Sequence, residues 1–437
     1  MRKAQRRLLA IALGLGLVAA ACGGDDGGED AGGSATTAAG GTETSAGGST
    51  GSTAAAGGAA YVTEDRSDAK PFSGEVGAFA KEQYTTDLKS VCPAELVVQK
   101  DWLAEAEHAA FYQLIGGGGK MSQYIYEGPL GSTGINLKIL DGGPGSDQGV
   151  PYAATLYTGN SVAGAKPDLA FVSTDDAILF SEKFPVKQVL AQFEKNPQML
   201  MFDPEKWDIS SVEDIIAAVD EGANLYVTTK SFSYVQFLIG KGVPEDAFIE
   251  GYAGDKDKFI TGGGDIINQG YASNEIYTFE RETEQFNKPV GYVLIHDLGY
   301  QAYPMALSVA ADREAELAPC LEKFIPLVQQ AQMDYVTNPD EINTLLADYN
   351  DNDLGAPFWK TSLGLNAAAV DIMKSAELVG NGPDDTLGNF DETRVQSMID
   401  LLLPIFEENG QSGFKKGLTA EDLVTNDYID PSIGMAS

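Results

Sequence analysis

Histidine is nearly missing from this chain: only His108 and His296 occur in 437 residues. Cysteine is almost as scarce, with three residues and no Cys-x-x-Cys pair. A zinc centre, a thiol redox pair or a Ser-His-Asp relay therefore has almost nothing to be built from. The body of the chain also lacks a Gly-x-Ser-x-Gly elbow after any strand. Basic residues are few, 29 against 64 acids, for a net charge of −35. Such a surface repels phosphate backbones and anionic headgroups, which excludes nucleic acid as a partner. No apolar run reaches the roughly 20 residues that a bilayer-crossing helix needs.

What remains is ordinary for a globular protein. Hydrophobic residues make up 43% and aromatics 9%, and the length suits two domains around separate cores. The front end is different. Arg2, Lys3, Arg6 and Arg7 precede the apolar run from Leu8 to Val18, and Ala19-Ala-Ala21 leads into Cys22. Residues 1–22 read as a secretory signal. Small residues running into a cysteine resemble the bacterial lipoprotein signal, in which that cysteine is acylated. A plain secretory signal with an incidental Cys22, or a short membrane anchor, are the alternatives. Several acyl chains on Cys22 would satisfy the two-signal requirement for stable anchoring. Removing the signal leaves 25 bases against 64 acids.

Residues 23–60 are Gly, Ser, Thr, Ala and acids, with no large apolar side chain. Such a segment has no surface to bury in return for its ordering entropy, so residues 23–75 are expected to form a disordered tether. The reach of its Gly-rich part is roughly 35 Å. With Cys22 acylated, Cys92 and Cys320 remain as an even pair in an exported chain. They read as a disulfide or as two buried thiols. A bridge over so long a loop removes roughly 4–5 kcal/mol of unfolded-state entropy in the simplest treatment.

Beyond Glu95 the pattern alternates strand and helix. Strands are expected at 95–102, 135–140, 169–172, 225–229, 290–295 and 305–309, with helices between them and a mainly helical stretch after Glu314. Ser210-Ser-Val-Glu213 reads as a capping box for a helix running to Glu221, and another helix is expected over 231–241. Repeated β-then-α units imply mainly parallel sheets with helices on both faces. Ligands bind such sheets at the carboxyl ends of the strands. Those ends carry Trp102, Glu105, His108, Phe111 and Tyr112, then Ser146 and Asp147, then Ser173, Thr174 and Asp175, and then Thr229, Ser231, Ser233 and Tyr234. Each hydroxyl or carboxylate there either caps its own helix or faces a small polar ligand.

The run Asp101-Trp102-Leu-Ala-Glu-Ala-Glu-His108-Ala-Ala-Phe111-Tyr112 resembles the opening of the nitrate/sulfonate/pyrimidine-precursor group of ABC-importer solute-binding proteins. Further likenesses follow in order at Gly142-Gly-Pro-Gly145, Asp168-Leu-Ala-Phe-Val-Ser173, Asn196-Pro197-Gln198, Ser211-Val-Glu-Asp-Ile215, Asn274-Glu275 and Asp297-Leu-Gly-Tyr300. The tail adds Thr393-Arg-Val395 and Leu418-Thr-Ala-Glu-Asp-Leu423. The resemblance implies a type II-like periplasmic-binding-protein fold, an α/β chain in two lobes joined by two hinge strands. Lobe 1 would be residues 76–194 with 296–437, and lobe 2 residues 195–295. Both Cys92 and Cys320 then fall in lobe 1. The resemblance also adds Gln198, Asn274 and Glu275 to the ligand-binding candidates. The Gly116–Gly134 insertion departs from the family.

The expected role is a lipid-anchored, monomeric binding protein on the outer face of the cytoplasmic membrane, without cofactor, delivering a small ligand to ABC permease subunits. An amino-pyrimidine, a thiamine-precursor-like compound or another nitrogen heterocycle is favoured. Carboxylates accept from N–H groups and aromatic faces stack on planar rings. A nitrate, sulfonate or taurine-type anion is the alternative ligand, and a secreted hydrolase the alternative class.

Overall fold

The computed structural model describes residues 62–143, 150–159, 164–351 and 359–435. Cys22, the expected lipidation site, and Ser146 and Asp147, expected at the ligand, lie outside them.

The strands, in chain order, are β1 (Glu95–Gln99), β2 (Lys120–Ser122), β3 (Ile125–Pro129), β4 (Asn136–Leu140), β5 (Leu169–Val172), β6 (Val186–Ala191), β7 (Gln198–Phe202), β8 (Asn224–Val227), β9 (Phe248–Glu250), β10 (Ile266–Tyr271), β11 (Gly291–Leu294) and β12 (Ala306–Ala310). They form two sheets, in the orders β2-β3-β4-β1-β5-β12-β6 and β11-β7-β10-β8-β9.

The two sheets share one plan. In the first, β4, β1 and β5 run parallel, followed by antiparallel β12 and then β6. In the second, β9, β8 and β10 run parallel, followed by antiparallel β7 and then β11. The antiparallel strand in each sheet is the first one formed after the chain crosses from the other sheet. β7 follows β6 through residues 192–197, and β12 follows β11 through 295–305. This mutual exchange of a strand is the type II binding-protein arrangement, and the expected α/β fold is present.

Burial explains why these runs are strands. Every residue of β5, β7 and β12 is buried, as befits strands covered on both faces. The helix Glu314–Thr337 packs on Ala109–Ile115 beside the first sheet. The helix Glu392–Glu408 touches both Thr174–Leu179, which follows β5, and Ser233–Gly240, which follows β8. It therefore joins elements of the two sheets.

Cys92 and Cys320 are bridged, with Sγ atoms 2.03 Å apart and Cα atoms 4.7 Å apart, tying the segment before β1 to the long 314–337 helix. The two-thiol alternative is thereby removed. No helix among the described residues is long and apolar enough to cross a membrane.

Three details differ from the sequence reading. The capping box sits one residue later: Ser211 Oγ accepts from Asp214 N at 3.2 Å, and Asp214 Oδ2 accepts from Ser210 N at 3.0 Å. The shorter aspartate reaches back to both serines where Glu213 does not. The 116–134 insertion is not a free loop; it supplies β2 and β3, which extend the first sheet beyond β4. Residues 62–75, expected to end the tether, are bonded to the body. Thr63 N donates to Glu280 Oε2 at 2.8 Å, Arg66 Nε to Asp371 Oδ2 at 2.6 Å, and Phe72 N to Thr344 Oγ1 at 2.8 Å. These residues carry the larger side chains that the 23–60 composition lacks.

Candidate functional site

The carboxyl end of β1 begins with a buried ion pair. Lys100 Nζ lies 2.8 Å from Asp141 Oδ1, and both side chains are fully buried. Tyr112 OH donates to Asp141 Oδ1 at 3.3 Å and Tyr349 OH to Oδ2 at 3.2 Å. Tyr112 also stacks on Tyr126, with ring centroids 5.4 Å apart. Tyr112 is thus a core residue serving a buried charge, separate from the exposed Trp102. Gly142 lies against this strand end so closely that a Cβ there would come within 2.4 Å of the Lys100 carbonyl oxygen. That contact is why the turn after β4 needs glycine.

Just past Lys100 the polarity changes. Asp101, Glu105 and Glu107 follow β1 in close succession, and Asp101 and Glu105 face His108, which is fully buried. His108 Nε2 is 2.8 Å from Asp101 Oδ1, and Nδ1 is 3.7 Å from Glu105 Oε1. Burial first, then the nearby Lys100 charge, lowers the His108 pKa, so the ring is neutral. Burial also raises Glu105 well above the usual carboxylate range, with Glu107, Asp101 and Glu275 adding repulsion. Glu107 is pushed up to about 8, first by burial and then by Asp101 and Glu275 against the pull of Ser273.

The second sheet meets this cluster through the end of β10. Ser273 Oγ donates to Glu107 Oε1, a bond between segments of the two sheets. Glu275 accepts from Tyr252 OH at 2.7 Å and from Tyr271 N at 2.8 Å. Tyr271 is 39% exposed, yet its hydroxyl feels Glu107, Glu275, Asp101 and Glu105, which places it in the gap between the sheets. A small cavity there is lined by Glu105, Glu107, Ser273, Asn274, Thr361 and Asn366, among others. Nearby, the Trp102 ring meets Trp359 edge-on at 5.7 Å.

The structure sorts the predicted residues into three groups. Trp102, His108, Asn274 and Glu275 fall in or beside this gap. Asp175 and Tyr234 flank it: Tyr300 OH donates to Asp175 Oδ2 at 2.8 Å, and Tyr234 OH donates to Gln269 Oε1 at 2.7 Å. Beside Asp175, Asp176 is raised to about 7 by burial, then by Asp175 and Asp101. Ser173, Thr174, Gln198 and Ser231 are tied by other contacts: Ser231 Oγ lies 3.1 Å from Thr229 Oγ1. Ser173 is the N-cap residue of the 174–179 helix, and Thr174 Oγ1 accepts from Tyr303 N at 3.2 Å. Gln198 N donates to Asn196 Oδ1 at 2.9 Å, and Ser231 N to Thr229 Oγ1 at 3.3 Å. Glu107, Tyr271, Ser273 and Trp359 were not singled out in the sequence. The one available signal was Glu107 itself, a third acid in the run Asp101–His108.

A second polar cluster occupies the crossings. Arg394, on the 392–408 helix, donates to Glu194 Oε1 at 2.7 Å and to the Gln301 carbonyl at 2.6 Å, and lies over the Tyr303 ring at 3.7 Å. One guanidinium therefore holds both inter-sheet segments. Burial, then the Arg394 and Lys195 charges, lowers His296 to about 3. Among the described residues, no group of three or more His, Cys, Asp or Glu side chains is arranged to hold a metal ion.

No family model matches the chain, and no curated protein matches it. Solved structures that resemble it include the aliphatic sulphonate-binding protein SsuA of Escherichia coli, at 12% identity and TM-score 0.47 over 79% of this chain and 95% of that one. The nitrate-binding protein NrtA of Synechocystis matches at 11% and 0.42 over 77% and 87%. A zinc-bound ligand-binding component of an ABC-type import system from Staphylococcus aureus matches at 10% and 0.45 over 78% and 97%. With scores below 0.5, no residue role is carried over from these proteins. The fold stands on the strand order, and the site on the side chains described above.

Proposed function

We propose that this chain is the extracytoplasmic substrate-binding lipoprotein of an ABC importer. Lobe 1 (residues 76–194 with 296–437) and lobe 2 (residues 195–295) close on a small polar ligand and present it to the permease. The observation that carries the reading is the gap itself. Two sheets that exchange a strand meet through Glu107 and Ser273, with Tyr271 exposed two residues before Ser273 and Trp102 exposed against Trp359 just past β1. Crossings clamped by one arginine suit a hinge whose two segments move together. Carboxylates with aromatic faces support a nitrogen heterocycle of the amino-pyrimidine kind, and the same acids oppose nitrate or sulfonate.

Mass spectrometry of small molecules released from the purified protein, with solution scattering before and after their removal, tests this. A bound nitrogen heterocycle and a more compact loaded form are expected. A protein that carries nothing and keeps one shape, or one that turns over what it carries, would refute the assignment.

A further inference from the structure

Resting on that reading of the gap as a ligand cleft, we infer that the ligand is an organic cation, held by Glu105 and Glu107 with its apolar body against Trp102 and Tyr271. Geometry at His108 carries the argument. Its Nε2 faces Asp101 Oδ1 at 2.8 Å and so bears the ring proton, because an ionised carboxylate only accepts. Nδ1 is then a lone pair. It is fully buried, hydrogen-bonds to nothing, and faces the Glu105 carboxylate at 3.7 Å. In the ligand-free protein only a proton on the raised Glu105 carboxyl stands between these two oxygen and nitrogen acceptors, and at 3.7 Å it leaves Nδ1 without a hydrogen bond, a place that a ligand N–H can take.

The surroundings say what kind of donor it is. Among the described residues, no lysine or arginine forms an ion pair with Glu105, Glu107, Glu275 or Asp176. Lys100 is committed to Asp141 at 2.8 Å, and Lys256 acts on Glu275 through space without forming an ion pair. The carboxylates repel one another across the gap. A ligand bearing N–H groups and a positive charge takes the place of the protons on Glu105 and Glu107, supplying donor and counter-charge together. Trp102 and Tyr271, 36% and 39% exposed, offer the aromatic faces that an organic cation prefers. The absence of metal-holding geometry among the described residues points away from an inorganic ion.

Calorimetric titration with benzamidinium, its neutral isostere benzamide, and taurine tests the charge directly, since the first two differ in little else. Benzamidinium is expected to bind about tenfold or more tighter than benzamide, with taurine weakest. Glu107→Gln should reduce the benzamidinium advantage, and Glu105→Gln provides the same readout if the first variant does not fold. Benzamide binding equally well, or taurine binding better, overturns the inference while the binding-protein reading stands, because the cleft still captures a small molecule. If none of the three binds, the molecule released from the purified protein decides. A cation upholds the inference and a neutral or anionic compound overturns it. A protein that carries nothing defeats both readings.

Discussion

Buried carboxylates occur here in two settings. Asp141 and Glu194 each face a cation, Lys100 at 2.8 Å and Arg394 at 2.7 Å. Glu105, Glu107 and Glu275 face one another across the gap, and a neutral histidine and hydroxyls are their partners. The paired acids hold a strand end and the two crossings; of the unpaired ones, Glu105 and Glu107 line a small cavity. Charge left uncompensated in a protein interior is destabilising unless something outside the chain completes it. The difference separates acids used for folding from acids available for binding.

Removing a cation should therefore have opposite consequences from removing a cleft acid. The largest effect is expected for Lys100→Met, which leaves Asp141 charged and fully buried with only tyrosine donors. A loss of about 3–5 kcal/mol is expected in denaturant titration. A loss below about 1 kcal/mol would erase the contrast between the two settings.

Arg394→Leu comes next. It strips Glu194 of its partner and frees the Gln301 carbonyl, at a cost of about 1–3 kcal/mol. Burial already raises Glu194 to about 7 against the pull of Arg394. Without the arginine the carboxyl stays protonated to higher pH, so the destabilisation should be greater at pH 8 than at pH 6. The same variant should loosen the crossings together, widening the spread of shapes seen in solution scattering. A pH-independent loss with unchanged scattering would show that Arg394 clamps neither segment.

The sequence made one of these settings legible and hid the other. Strand β5 announces itself as Leu169-Ala-Phe-Val172 followed by a serine at the start of the next helix, and all four of its residues are buried. Cys92 and Cys320 read as a disulfide or as two buried thiols, and the 4.7 Å between their Cα atoms in the folded chain decides for the bridge. The cleft acids were half visible. Asp101 through His108 marked the end of β1, but nothing in a linear pattern says that Glu107 meets Ser273, 166 residues away. Tyr112 shows the converse. Its neighbours suggested a pocket aromatic, whereas the seven-residue helix Ala109–Ile115 turns it into the core toward Asp141. Which face of a short helix is buried depends on partners such as Tyr126 and Tyr349 that lie far along the chain.

Glu107→Gln should produce the smallest effect and the opposite sign. In the folded protein the Glu107 carboxyl titrates at about 8, raised by burial and by Asp101 and Glu275, against 4.5 when unperturbed. The native state therefore holds this proton more tightly than the unfolded chain does. Its contribution is fully present below about pH 4.5 and is lost as pH rises through about 8. His108 and His296, both lowered, act the other way, but only below their unperturbed value of 6.5. Above pH 7 the carboxyls alone set the slope, so the ligand-free protein should lose roughly 1 kcal/mol through Glu107 between pH 7 and 8. Glutamine at position 107 has no proton to lose and can still accept from Ser273. The variant should therefore melt higher than the parent at pH 8 and nearly equally at pH 6, when both are free of ligand. Benzamidinium should flatten the parent's slope, because a cation in the gap takes over the role of the proton. A parent protein whose melting temperature is level from pH 7 to 8 would mean that Glu107 is already compensated, and the contrast between the two kinds of acid would fail at its most exposed point.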